Sequence, residues 1–258
     1  KDPKCVIRTE IEEGTTKISA CTTYVEATKA IRDSLGVKFS DFCNLGLLNI
    51  FVEGKSDREV FKWALSRISI KATGKHGWDN VRRAEFLDFG GVGALEGFIK
   101  ASWEYIHRER PAVCVLDGDD AGDKTRRNLQ GFCSQKKLPF EHNKHFIILP
   151  TGFALEGLFP REWIIQAHKE HSGWFKSFSC DLEDNLLPFE CASDDAKEKL
   201  RNHLIQRAES TTDESWIVRF EKLFNALDEA LEIQVRKIYS THTKVRSAKN
   251  LAVQDPAG

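Results

Sequence analysis

VCVLDGDDAGD, residues 113–123, decides how this chain is read. The apolar run before Asp117 has the character of a buried strand, and four aspartates follow within seven positions. Carboxylates crowded in this way repel one another and lose hydration when a fold gathers them. A bound cation offsets that repulsion, so the motif asks which other groups the chain brings to the same place.

Working outward, LGLLNIFVEG (45–54) is an earlier apolar run that closes on Glu53-Gly54. KSDREVFKWALSRI follows, with Val60, Phe61, Ala64, Leu65 and Ile68 on one helical face. Ser56-x-x-Glu59 matches a capping box at its start. AEFLDF (84–89) predicts a second strand, ended by Gly90-Gly91 and followed by the helical ALEGFIKASWEYIHRER. AVCVLD (112–117) and HFIILP (145–150) complete four strands, with DKTRRNLQGF as the helix between them. Short apolar strands alternating with helical stretches predict an α/β fold, a Rossmann-like parallel sheet flanked by helices.

Beyond Pro150 the pattern changes. ALEGLFPREWIIQAHKEH, DAKEKLRNHLIQRAES and SWIVRFEKLFNALDEALEIQVRKI all read as helices, which predicts a C-terminal helical extension over 153–258. TYVEATKAIRDSL (23–35) predicts a helix within an N-terminal lead-in, 1–44, leaving 45–152 as the central domain.

In parallel α/β sheets ligands collect at the carboxyl ends of the strands. Glu53 closes the first strand there, and Asp117 and Asp119 close the third. Asp57 lies one helical turn beyond Glu53 and leans toward the same rim. Mg²⁺ takes oxygen ligands, so a rim of carboxylates suits it. Other readings of the same residues fit less well. Gly54-Lys55-Ser56 imitates the tail of a P-loop, but Asn49 stands where that motif needs glycine. The stretch from Asp117 has the glycine of an EF-hand loop, but Ala121 and Asn128 occupy two ligand positions. A D-x-D phosphatase, with Asp117 as nucleophile and Asp119 as acid, leaves Glu53 without a role. Helix N-terminal capping is the plain alternative for Asp57 and Glu59 and suffices for Glu59, and a solvated loop running into a helix start accounts for Asp120 and Asp123.

Composition narrows the classes further. A chain of 258 residues with 41% hydrophobic content can bury a sizeable core. Lys+Arg 38 against Asp+Glu 39 excludes neither nucleic acid nor a small substrate, because local patches outweigh totals. No apolar stretch approaches the roughly 18 residues of a membrane span. Seven cysteines, without a C-x-x-C pair, predict reduced thiols and a cytosolic (cytoplasmic) location rather than disulfides or zinc. Methionine is absent throughout. Either the chain is a piece of a longer protein or its methionines are omitted, which would shorten some spacings by a residue.

FVEGKSD, LDFGGVGAL, VLDGDDAGD and ILPTGFALEGLFP, in this order on strand ends, resemble the TOPRIM domain of topoisomerases, primases and related nucleases. In detail they look most like the OLD (overcoming lysogenization defect) family of ATPase-coupled nucleases. The lead-in AIRDSLGVKFSDFCNLGLLNIFVEG is similar to that family's passage from ATPase to nuclease, and the resemblance spans roughly residues 23–165.

The resemblance implies a TOPRIM fold and a DNA endonuclease that hydrolyses phosphodiester bonds with two Mg²⁺ or Mn²⁺ ions about 4 Å apart. Glu53 and Asp57 would ligate one ion; Asp117 and Asp119 would hold the other or bridge the pair. Glu156, in ALEGLFP, matches a further glutamate of that site, although the residue alone reads as an ordinary helix-surface glutamate. A C-terminal lysine is also implied, with Lys249 preferred over Lys244. Partners implied are DNA, an upstream ATPase domain whose Walker motif is not in this sequence, and a second copy as homodimer. Lys124, Arg126 and Arg127 are candidates for the DNA backbone, with Arg108, Arg110, Lys75, Arg82 and Arg83 as further basic groups. A topoisomerase would need a nucleophilic tyrosine on a separate domain. A TOPRIM-like assembly module without catalysis would not need the acidic set.

Overall fold

The structure, a computed structural model, describes residues 7–12, 15–22, 27, 43–68 and 77–251, with side chains to Ile238 in the final helix. The chain divides into two compact units, Lys1–Leu45 and Gly46–Gly258. In the first, strands β1 (Ile7–Glu12) and β2 (Thr15–Ala20) pair antiparallel, with Ile7 opposite Ala20 and Glu12 opposite Thr15. Sequence reading did not foresee this hairpin, and the helix expected over 23–35 lies outside the described residues apart from Ala27.

The second unit is built on a four-stranded sheet of β3 (Asn49–Val52), β4 (Glu85–Asp88), β5 (Ala112–Leu116) and β6 (Phe146–Ile148), all parallel, in the order β4-β3-β5-β6. It is an α/β fold with helices packed on the sheet. Helices α1 (Lys55–Arg67) and α2 (Asp79–Arg83) connect β3 to β4; α3 (Val92–Glu109) and α4 (Asp120–Gln135) precede and follow β5. From β3 the chain moves outward to β4, then returns across β3 to β5. Right-handed crossovers running in opposite directions put their helices on opposite faces. Thus α3 packs beside α4, while α2 packs beside the long final helix α7 (Ile217–Leu251).

Side chains alternate across the sheet as the pleat requires. Ile50, Val52, Val113, Val115 and Ile147 join Phe61, Phe220, Phe224 and Leu227 in one core. Phe51 points to the other face, where Phe98 meets it edge to face at 5.6 Å. Asn49 is wholly buried and satisfied: its amide donates to the Gly46 and Pro111 carbonyls and its oxygen accepts from the Gly46 N–H.

The C-terminal segment is not uniformly helical. The stretch 154–171 breaks at Pro160 into a 3-10 turn, Leu155–Leu158, and α5 (Arg161–Glu170). A small antiparallel pair, β7 (Phe175–Ser177) and β8 (Glu190–Cys191), precedes α6 (Asp194–Ser210). The final helix is fastened to the sheet by polar ties as well as apolar ones. Gln234 bonds both the N–H and the carbonyl of Ala112, at 3.0 and 2.9 Å. Asp228 caps α2 through the Asn80 and Val81 N–H groups. Arg219 donates to the Gly157 and Phe159 carbonyls at 2.7 and 2.9 Å, gripping the 3-10 turn. Among the described residues no helix is long and apolar enough to cross a membrane. Cys21, Cys114, Cys133, Cys180 and Cys191 are free thiols.

Two glycines let the loops at the carboxyl edge touch. A Cβ on Gly118 would stand 2.2 Å from the Pro150 carbonyl oxygen, and one on Gly122 would stand 2.1 Å from that of Asp117. Gly118→Ala should therefore lower the stability of the chain by at least about 2 kcal/mol, because backbone must move. Gly131, on the open face of α4, has nothing within 4 Å of such a Cβ. Gly131→Ala should raise stability by about 0.5–1 kcal/mol. Urea unfolding midpoints of the two variants check both signs.

Candidate metal centre

The switch of direction in the strand order lies between β3 and β5, and the crevice of such a sheet opens outside the carboxyl ends of those strands. Glu53 follows β3, and Asp117 and Asp119 follow β5, so the sequence-predicted rim falls at this crevice. Backbone bonds stitch the surrounding loops together. Gly91 N–H donates to the Glu53 carbonyl at 2.7 Å, which holds the Gly-Gly turn against the end of β3. Gly118 N–H donates to Phe153 O, and Gly152 N–H to Gly118 O, which joins the aspartate loop to the loop after β6. That second junction carries Glu156 to the rim.

Three rim carboxylates have one oxygen fixed by backbone. Glu53 Oε1 accepts from Asp117 N–H at 3.2 Å, Asp57 Oδ2 from Gly54 N–H at 2.8 Å, and Asp119 Oδ1 from Gly122 N–H at 2.9 Å. The bond at Asp57 revises the expected capping box. Helix α1 begins at Lys55 with Gly54 as its cap, and Asp57, three residues on, is the acidic partner instead of Glu59. Glu59 pairs with Lys55 at 3.5 Å. Asp119 likewise caps α4. Capping and membership of the rim are therefore compatible, since each carboxylate uses one oxygen for the cap.

Glu156 is the most deeply enclosed of the set, in contrast to the helix-surface position its sequence suggests. Its Oε1 is buried without a hydrogen-bond donor, and the nearest cation is Arg201, whose Nε stands 3.9 Å away. A buried polar atom without a hydrogen-bond partner calls for one, and a bound ion is among the groups that supply it.

The electrostatics follow from this crowding. Burial raises Glu53 to a pKa of about 7, with Asp57 and Asp119 adding to the effect. Burial, then the Glu53 and Asp57 charges, push Asp117 up to about 9. Burial also raises Asp57 and Glu156 above the ordinary carboxylate range. All four would hold fewer protons if a divalent cation sat among them.

Sequence reading missed the positive side of the site. Ser193 caps α6 by accepting the Ala196 N–H at 3.1 Å, and the helix then presents Lys197 and Arg201, one turn apart, toward the acids. Burial alone would lower the Lys197 pKa, but Glu156 and then Asp117 outweigh it and hold the ammonium above the ordinary lysine value. The only signal in the sequence was an i, i+4 basic pair, which many solvated helix faces share. A cleft of about 650 Å³ opens beside the rim, lined by Asp119, Glu156, Lys197, Phe153 and Phe189. Glu53, Asp57, Asp117, Asp119 and Glu156 offer the all-oxygen donor set that Mg²⁺ or Mn²⁺ takes.

The remaining sequence candidates fall elsewhere. Lys124 is exposed near the start of α4. Arg126 is tied to Asp123 at 2.5 Å and to Gln130 at 2.8 Å, and Arg127 pairs with Asp123 too, so α4 compensates much of this basic run itself. Arg82 donates to the Leu65, Ile68 and Gly77 carbonyls and serves the fold. Lys249 and Lys244 belong to α7, but their side chains lie outside the described residues, as does Lys75.

A pH dependence follows. The folded carboxyls have pKa values above those of the unfolded chain, so the folded state keeps protons that the unfolded state gives up. In chelator, stability is fully present below about pH 4 and is lost as the pH rises through 7 and 9. Melting temperature should fall across that window, fall less in Asp117→Asn, and be restored by Mg²⁺. A flat profile in chelator would contradict the crowded rim. No family model matches the chain, and no curated protein or solved structure shows a significant match to it.

Proposed function

We propose that this chain is a divalent-metal-dependent DNA endonuclease of the TOPRIM type, the nuclease part of an OLD-like ATPase-coupled protein. The observation that carries the reading is that Glu53, Asp57, Asp117 and Asp119 lie close enough at the sheet's switch point to feel one another's charge, with buried Glu156 and Lys197 of α6 beside them.

Two Mg²⁺ or Mn²⁺ ions held by Glu53, Asp57, Asp117, Asp119 and Glu156 would supply Lewis acidity toward the attacked phosphodiester and its leaving oxygen. The chain's own groups divide the remaining work. Glu53, its Oε1 held by the Asp117 N–H, would accept the proton of the attacking water at its other oxygen. Water oxygen bonds to phosphorus, the P–O bond to the leaving oxygen breaks, and that oxygen takes a proton from solvent. Lys197 lines the cleft and is placed to stabilise the extra negative charge on the phosphoryl oxygens. Lys249, implied by the resemblance, remains a second candidate for that work. Phe189, half-buried on the cleft wall, offers apolar surface for sugar or base. Exposed Lys124, close to Asp119, is the basic group of its run left to meet a DNA phosphate. In this reading DNA, an upstream ATPase domain and a second copy of the chain are the partners.

Supercoiled plasmid should be nicked or cut in Mg²⁺ or Mn²⁺ and untouched in EDTA. Asp117→Ala and Glu53→Ala should abolish cleavage, and Lys197→Ala should slow it about 100-fold. Asp120→Ala and Asp123→Ala should cut at near-parental rates. Full activity in EDTA would overturn the reading, and an aspartyl-phosphate trapped on Asp117 would replace it with phosphoryl transfer.

A further inference from the structure

Away from the rim, a second group of ligating side chains gathers where α5 ends against α6. Glu170 is the last residue of α5, His171 follows it as the cap, and His203 stands in the middle of α6. One ligating atom from each lies within 4.8 Å of the other two. Glu170 Oε2 is 3.8 Å from His203 Nε2, while Glu170 Oε1 accepts the Gln166 amide at 2.8 Å. The carboxylate is thus held with one oxygen toward the imidazoles. Trp174 orients both rings: it stacks on His171 at 4.0 Å and meets His203 edge to face at 5.8 Å. Ligands anchored by surrounding groups in this way need little reordering to accept an ion.

We propose that Glu170, His171 and His203 form a site for a borderline transition-metal ion, Zn²⁺ or Co²⁺, that fastens the end of α5 to α6. Two imidazoles and one carboxylate select such ions over Mg²⁺, which takes oxygen ligands. Three protein ligands leave the fourth tetrahedral position to water. The Arg207 guanidinium, seated over Trp163 at 5.0 Å, acts on both His203 and Glu170, and the ion binds against its charge. The consequence reaches the rim through the helix. Lys197 and Arg201 precede His203 on α6, so an ion clamping His203 to α5 fixes the segment that delivers both cations. The site stands on its own residues, whether or not the rim cleaves DNA.

The test is a Co²⁺ titration of tag-free protein carrying Glu53→Gln and Asp117→Asn, which disables the rim as a competing site. One equivalent of Co²⁺ should bind with the strong visible absorption of four- or five-coordinate geometry, be displaced by Zn²⁺, and ignore millimolar Mg²⁺. His203→Asn should weaken binding at least about tenfold, and so should His171→Gln, whose exposed ring can be lost without touching the core. Zn²⁺ should also raise the melting temperature of the rim-disabled protein and of neither histidine variant made in it. Absorption retained in His171→Gln, weak octahedral absorption, or binding without a rise in melting temperature would overturn the proposal.

Discussion

Mutual repulsion among carboxylates at the carboxyl end of the sheet is the constraint around which the rest of this structure is arranged. Strand order brings Glu53 and Asp117 to one crevice, and burial then makes their charges costly enough to lift both pKa values far above those of free carboxyls. Every neighbouring feature limits that cost. Backbone N–H groups of Gly54, Asp117 and Gly122 each occupy one carboxylate oxygen. Lys197 and Arg201 bring positive charge from a helix far along the chain. The balance still favours the acids, and a dication is the partner that chemistry of this kind selects.

The C-terminal helices are part of the same solution. Arg219 in α7 holds the turn that bears Glu156, and α6 supplies the rim's cations. Gln234 ties α7 to the first residue of β5, the strand that ends at Asp117. Changes in this half of the chain can therefore alter the rim without touching an acidic residue. The small β7-β8 pair and the loop between the two strands wall the cleft on its other side through Phe189, Glu190 and Lys176, the last two paired at 2.8 Å.

What the sequence made legible was what short-range chemistry controls. Apolar runs of four to six residues ending in Glu53 and Asp117 marked strands, and the parallel sheet followed from the alternation with helices. Glu53, Asp117 and Asp119 were legible as a rim because ligands collect at the carboxyl ends of parallel strands, whereas Glu156 entered only through the family resemblance. The cap of α1 was misplaced because Ser56 and Asp57 both suit a helix start, and only the backbone decides between them. Glu156 looked like a surface residue because its burial comes from Gly118 and Gly152 meeting at a distance of over thirty residues in sequence. Lys197 and Arg201 were invisible for the same reason: their role rests on where α6 docks, which no local pattern encodes. The β1-β2 hairpin is rich in threonine and other β-branched residues, but β2 is exposed throughout, so no apolar run marks the pair.

If the proposed reading holds, the rim binds divalent cations, and a crystal of the chain grown with Mn²⁺ and measured at a wavelength giving anomalous signal from manganese shows whether it does. Two peaks should appear between β3 and β5, each within about 2.5 Å of carboxylate oxygens drawn from Glu53, Asp57, Asp117, Asp119 and Glu156. A saturated crystal with no peak among these five residues would contradict it.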